Sequence, residues 1–143
     1  MPGKRIDKTA HDLDGIHALI VEDTDDSREA LRLALQYCGA FVTSVATARE
    51  AESLLAELRP HVLITDINMP DDGVGLIRAV RAMTAAHGMR VPTIAITAAR
   101  GRRIELLAEG FVEVVEKPLD PIQLCRTIRE HLPKLASEAA DGG

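Results

Sequence analysis

Between residues 16 and 132 the chain alternates short apolar runs with longer amphipathic stretches, the pattern of repeated strand–helix units around a parallel sheet. Five runs stand out, at residues 16–21, 41–45, 61–65, 91–97 and 111–115. They are too short for helices, and several are apolar on both faces, as strands covered by helices from both sides must be. The first stretch between them opens a helix at Asp25-Asp26-Ser27, sets Ala30, Leu31, Ala34, Leu35 and Cys38 at helical spacing as its core stripe, and stops at Gly39. The second begins with Thr47-Ala48-Arg49-Glu50, a capping box, turns Ala51, Leu54, Leu55 and Leu58 inward, and ends before Pro60. A third helix is expected over about residues 74–86 and a short fourth over 102–109. The fifth starts at Asp120-Pro121, a capping acid followed by a residue that has no N–H to leave unpaired, and presents Ile122, Cys125, Ile128 and Leu132. The predicted fold class is α/β, a doubly wound parallel sheet of five βα units.

Composition narrows what such a sheet can be. The 143 residues suffice for one domain, and with 46% hydrophobic but only 2% aromatic residues the core must be aliphatic. A formal net charge of −5 excludes the basic footprint of a nucleic-acid binder. No apolar run approaches the ~20 residues that span a bilayer, and the polar first residues hold no signal-peptide core. A soluble, cytoplasmic protein without membrane attachment is expected. Residues 1–14 and 136–143 are expected to be flexible, leaving residues 15–135 as a stand-alone domain with no output domain after it. Cys38 and Cys125 fall in predicted helices with no Cys-x-x-Cys spacing, so reduced core thiols are expected and a disulfide framework is not.

The chemistry sits where the strands stop. In an open parallel sheet, ligands bind beyond the carboxyl ends of the strands. The first run is followed by Glu22-Asp23, the third by Asp66, the fourth ends at Thr97-Ala98, and Lys117-Pro118 lies just past the fifth. Three adjacent carboxylates repel one another unless a cation sits among them, and an all-oxygen donor set suits Mg²⁺. The ion and Lys117 together balance the three acids, leaving a neutral site for an incoming phosphoryl group. Asp66 is the best nucleophile, because a carboxylate with a reference pKa of ~3.9 is ionised at neutral pH without a general base. Its attack on phosphorus forms an acyl phosphate, with Lys117 and the metal on the equatorial oxygens and the Thr97 hydroxyl donating another hydrogen bond. Taken singly, each residue has a plainer reading as a cap, a strand residue or a solvated charge; only their joint placement points to a site. The Lys117–Pro118 bond is a candidate for the cis form.

Glu22-Asp23 after an apolar strand, Asp66-Ile67-Asn68-Met69-Pro70, Thr97-Ala98 and Lys117-Pro118 occur in this order and at suitable spacing. Over residues 16–132 the chain thereby resembles a response-regulator receiver domain of bacterial two-component signalling. Leu19-Ile20-Val21-Glu22-Asp23 and Lys117-Pro118-Leu119-Asp120-Pro121 resemble in particular the receivers of hybrid histidine kinases. The resemblance implies a flavodoxin-like (βα)5 sheet in the order 2-1-3-4-5. It implies that Asp66 accepts a phosphoryl group from a phosphohistidine on a histidine kinase or histidine phosphotransfer protein. Asp23 and Asp66 would ligate Mg²⁺ directly, with the backbone carbonyl of Asn68, and Glu22 would act through water. Thr97 would be the switch hydroxyl and Lys117 the phosphate-contacting cation. Such a protein is no enzyme beyond its own phosphorylation and dephosphorylation; it switches an unknown downstream protein or relays the phosphoryl group onward.

Several positions depart from the family pattern. Three residues before the lysine, where receivers often carry an aromatic side chain that swings inward, stands Val114. The loop Asp71-Asp72-Gly73 is one residue shorter than usual and residues 97–110 two shorter, so a truncated or shifted fourth helix is expected. Asn68 and Ala99 are placed to shape water access to an acyl phosphate. Arg100, Arg102 and Arg103 read as a solvated helix start rather than an anionic docking patch. Leu33 and Tyr37, one turn apart and off the core stripe, are either partner-facing or peripheral packing. Gly73-Val74-Gly75 lacks the third glycine and the preceding strand of a dinucleotide loop. Two other functions compete: a docking module that signals without phosphate, and a Mg²⁺ phosphohydrolase. The second wants an acid two residues after Asp66, where Asn68 stands.

Overall fold

The computed structural model describes residues 11–70 and 73–132. The expectations about Asp71 and Asp72, about the terminal tail, and about most of the N-terminal segment lie outside the described residues. Ten elements alternate along the chain: β1 (His17–Val21), α1 (Asp25–Tyr37), β2 (Phe41–Val45), α2 (Ala48–Leu58), β3 (Val62–Asp66), α3 (Gly73–His87), β4 (Thr93–Thr97), α4 (Arg103–Glu109), β5 (Glu113–Glu116) and α5 (Pro121–Glu130). All strand pairs are parallel and the sheet order is β2-β1-β3-β4-β5, as expected for the flavodoxin-like arrangement.

Alternation along the central strands builds a core on each face of the sheet. Ile20, Ile64 and Ile96 point to one side, where they meet Leu31 and Leu35 of α1 and Leu124 and Ile128 of α5. Leu19 and Leu63 point to the other, against Ala51 and Leu55 of α2 and Leu76 and Val80 of α3. A smaller cluster of Ile67, Ile77, Ala95, Leu106, Phe111 and Val114 lies under α4. β3 and β4 are buried at every position, whereas β2 is an edge strand that leaves Phe41 exposed. The core reaches back to Leu13, which is fully buried and whose N–H donates to the Cys38 carbonyl at 2.9 Å.

Helix boundaries follow their local signals. The Thr47 hydroxyl accepts the Glu50 N–H at 3.1 Å, and Asp120 accepts the N–H groups of Ile122 and Gln123 at 3.0 and 3.4 Å. Gly39 follows α1 with φ +100°, and a Cβ there would lie 2.0 Å from Asp14 Oδ1, so glycine meets both the turn and the close approach. α4 has only seven residues, the truncation expected from the short segment after Thr97.

Two expectations about faces and one about the cysteines are corrected. Ala30 is exposed rather than buried, and Ile122 is 46% exposed while Leu124 takes the inward place beside Cys125 and Ile128. Helical spacing defines a stripe but not which of its edges meets a neighbour, and α1 and α5 meet each other as well as the sheet. The cysteines expected as separate thiols are joined in a Cys38–Cys125 disulfide, with a Cα–Cα distance of 6.7 Å. That distance lies within the span a disulfide bridges, and only the packing of α1 against α5 brings residues 87 apart in sequence so close.

Candidate functional site

Every residue singled out at a strand end arrives on the same edge of the sheet. Parallel strands in register carry their last residues side by side, so Asp66 at the end of β3 pairs with Ile96 and Thr97 at the end of β4 pairs with Glu116. Glu22 follows β1 and is anchored by its N–H to the Val45 carbonyl at 3.1 Å. Lys117 follows β5, its N–H bound to the Thr97 carbonyl at 2.9 Å, and the Lys117–Pro118 peptide is cis, as the sequence suggested.

The side chains then converge. Lys117 Nζ donates to Asp66 Oδ2 at 2.8 Å and to Glu22 Oε1 at 3.5 Å. Asp66 Oδ1 accepts the Asn68 N–H at 2.7 Å, and Glu22 Oε2 accepts the Thr24 N–H at 3.0 Å. Carboxylate oxygens of Glu22, Asp23 and Asp66 lie within 4.8 Å of one another. The Glu22 and Asp66 side chains are only 1% and 3% exposed, whereas Lys117 reaches in from a side chain 32% exposed. A convergent all-oxygen set with more acid than base fits a hard divalent cation such as Mg²⁺.

Protons divide unequally within this cluster. Burial raises the Glu22 carboxyl to about 7, reinforced by its hydrogen bond with Asp66 and by the charge of that neighbour. Burial also pushes the Asp66 carboxyl up, but the hydrogen bonds from Glu22, Lys117 and the Asn68 N–H outweigh it and hold Asp66 below the usual range. Desolvation lowers Lys117, and its contacts with Asp66 and Glu22 raise it by more. Of the two buried carboxyls Glu22 is therefore the weaker acid and Asp66 the more readily ionised.

Sequence reasoning missed three features of this region. The Asn68 carboxamide Oδ1 accepts the Ala98 N–H at 2.9 Å and the Thr97 hydroxyl at 3.2 Å. Arg28, one turn into α1, donates to the Glu22 carbonyl at 2.9 Å. A groove of about 570 Å³ runs from Glu22 and Lys117 between α1 and α5, with Ala30, Ala34, Leu119 and Leu124 on its walls. The small residues of the α1 stripe were a legible signal for the groove; nothing local signalled the other two. Leu33 and Tyr37 are 53% and 58% exposed. Arg102 pairs with Glu105 at 2.8 Å and Arg103 with Glu113, consistent with solvated helix-start charges rather than a free cationic patch for docking anions.

A doubly wound sheet whose carboxyl edge gathers three acids, a hydroxyl and a lysine defines an α/β protein with an acidic cluster of the kind that suits a hard divalent cation. The family model of the response regulator receiver domain matches residues 18–129, and the chain belongs to that family, the receivers of two-component signalling. Its curated relatives include the 14.6 kDa protein of the sodA1 3′ region of Leptolyngbya boryana, 40% identical over 116 residues that cover 79% of this chain and 87% of that protein. The virulence transcriptional regulatory protein PhoP of Salmonella typhimurium is 35% identical over 106 residues, 72% of this chain. The chain spans 46% of PhoP's length, so PhoP's activity as a whole does not transfer.

Among solved structures, the receiver of sensor histidine kinase PA1611 from Pseudomonas aeruginosa is 30% identical, covers 81% of this chain and 96% of its own, has a TM-score of 0.71 and holds magnesium in its active-site cleft. Chemotaxis response regulator CheY4 of Vibrio cholerae is 28% identical with a TM-score of 0.71, covering 80% of this chain and 97% of its own. The receiver of Saccharomyces cerevisiae Ssk1, solved with the histidine phosphotransfer protein Ypd1, shares the fold at 22% identity and TM-score 0.75, over 82% of this chain and 89% of that one. Among the described residues, no helix is long and apolar enough to cross a membrane.

Proposed function

We propose that Asp66 is the phosphoacceptor of a cytoplasmic receiver, taking its phosphoryl group from a phosphohistidine on a histidine kinase or histidine phosphotransfer protein. The observation that carries this reading is the placement of the Asp66 carboxyl between Lys117 Nζ at 2.8 Å and the Asn68 N–H at 2.7 Å, with Glu22 and Asp23 within reach. An Asp66 oxygen attacks phosphorus as the P–N bond of the donor breaks; the electron pair returns to the imidazole nitrogen, which is then protonated. The product is an acyl phosphate on Asp66. Asp23, Asp66 and the Asn68 carbonyl, with Glu22 through water, would hold Mg²⁺, whose charge offsets that of the phosphoryl oxygens. Lys117 leaves its pairing with Asp66 to meet the same oxygens, and the Thr97 hydroxyl donates to one of them. The protein turns over no other substrate, and the acyl phosphate switches a downstream partner or passes onward.

One side chain favours an alternative, signalling without phosphate: Val114 is buried in the cluster under α4 and provides no aromatic ring to swing. A phosphate-independent docking module would bind its partner equally with and without the adduct. The first test is chemical. Acetyl phosphate or a phosphohistidine donor should form a Mg²⁺-dependent, alkali-labile adduct, visible by mass spectrometry and lost completely in Asp66→Asn; full labelling of that variant would reject the assignment.

A further inference from the structure

Asn68 makes contacts that metal binding through its backbone carbonyl does not require. Its side-chain Oδ1 accepts the Ala98 N–H at 2.9 Å and the Thr97 hydroxyl at 3.2 Å, while its own N–H donates to Asp66 Oδ1 at 2.7 Å. One residue thus ties the connection after β4 to the end of β3, directly beside the acceptor carboxylate.

Thr97 is fully buried and its hydroxyl has one proton to give. The Ala99 N–H donates to Thr97 Oγ1 at 3.0 Å, and the acceptors for the hydroxyl proton are Asn68 Oδ1 at 3.2 Å and the Ala99 carbonyl at 3.4 Å. A hydroxyl drawn to a phosphoryl oxygen on Asp66 must withdraw that proton from Asn68. The Ala98 N–H is carried on the next peptide unit, so movement of Thr97 strains or breaks the second bond as well. Both hydrogen bonds belong to the arrangement without phosphate and oppose the one with it.

We propose that the Asn68 carboxamide is a latch, a positioning residue that holds the β4–α4 connection in its unphosphorylated arrangement and so sets how far phosphorylation shifts that loop. The proposal rests on the reading of Asp66 as phosphoacceptor. A two-state loop biased by two neutral hydrogen bonds moves by about 2- to 10-fold for each bond removed.

The test separates the latch from the phosphoacceptor. Amide hydrogen exchange on the unphosphorylated full chain reads the Ala98 N–H directly. In Asn68→Ala it should exchange about five-fold faster or more, while the core amides of Ile94 and Ile96 keep their protection. Asn68→Asp retains an acceptor oxygen and should restore protection of Ala98. Titration with beryllofluoride, a phosphoryl mimic, at saturating Mg²⁺ should then show half-saturation about five-fold lower in Asn68→Ala than in the parent chain. Unchanged Ala98 exchange in Asn68→Ala, or no recovery in Asn68→Asp, would overturn the latch. A loosened Ala98 with unchanged beryllofluoride binding would overturn its role in switching. If the parent chain takes no beryllofluoride, the phosphoacceptor reading falls and the switching role with it, while Ala98 exchange still decides whether Asn68 holds the loop.

Discussion

Glu22 and Asp66 share a buried acidic site but not its protons equally. Glu22, raised to about 7, stays protonated in the metal-free fold at mildly acidic pH, while Asp66 stays charged beside Lys117. A group with a raised folded-state pKa stabilises the fold fully below its ordinary value and loses that contribution as pH rises through the shifted one. Glu22 therefore favours the metal-free fold below its ordinary value of 4.5, and this contribution declines as pH climbs to about 7. A dication held beside Glu22 favours its ionised form, so Mg²⁺ affinity should rise with pH, up to about ten-fold per unit below 7, and flatten above it. Calorimetric titration between pH 6 and 8 checks this. Glu22→Gln should remove most of the pH dependence; an affinity as steep in that variant as in the parent would place the proton elsewhere. That Glu22, Asp23, Asp66, Thr97 and Lys117 gather at one edge of the sheet was legible, because each ends a strand or follows one closely. The partition of the proton was not, since it depends on burial and on distances across the site.

Elements were legible in their order, their types and most of their caps, and less so in their faces. The Asp120 cap and Pro121 locate the start of α5, yet which side of that helix is buried follows from its contact with α1. Hence Leu124 lies inward and Ile122 outward. On α1, Leu33 and Tyr37 remain exposed on the helix that forms one wall of the groove leading to Lys117. In the phosphoacceptor reading this is the surface a helical phosphohistidine donor would cover. Replacing both with alanine should slow phosphotransfer from such a donor by about ten-fold or more, because truncating a tyrosine that anchors an interface costs about 2 kcal/mol. Adduct formation from acetyl phosphate, which needs no docking surface, should stay within about two-fold. Equal slowing with both donors would show that the substitutions disturb the site and not a partner interface.

For the molecule as a whole, the sheet supplies the framework and the Cys38–Cys125 bond crosses between two helices packed on one of its faces. A bond closing 87 residues of sequence restricts the unfolded chain strongly. Reduction, or Cys38→Ala with Cys125→Ala, should lower stability by about 2–5 kcal/mol, measured as the shift of the urea midpoint. Alkylation under denaturing, non-reducing conditions should find no free thiol, and two after reduction. A fully alkylated protein before reduction would show that the pair exists as thiols.

Periodicity, caps and strand-end residues are local properties, and from them alone came the α/β class, the five βα units and the acids, hydroxyl and lysine that gather at one edge. Tertiary structure alone decided which cysteines meet, which face of α5 is buried, how Asn68 reaches across to Thr97 and Ala98, and which buried carboxyl is the weaker acid. Each of these depends on distances between atoms far apart along the chain, and hydrophobic spacing records which side of an element is apolar without recording what stands opposite it.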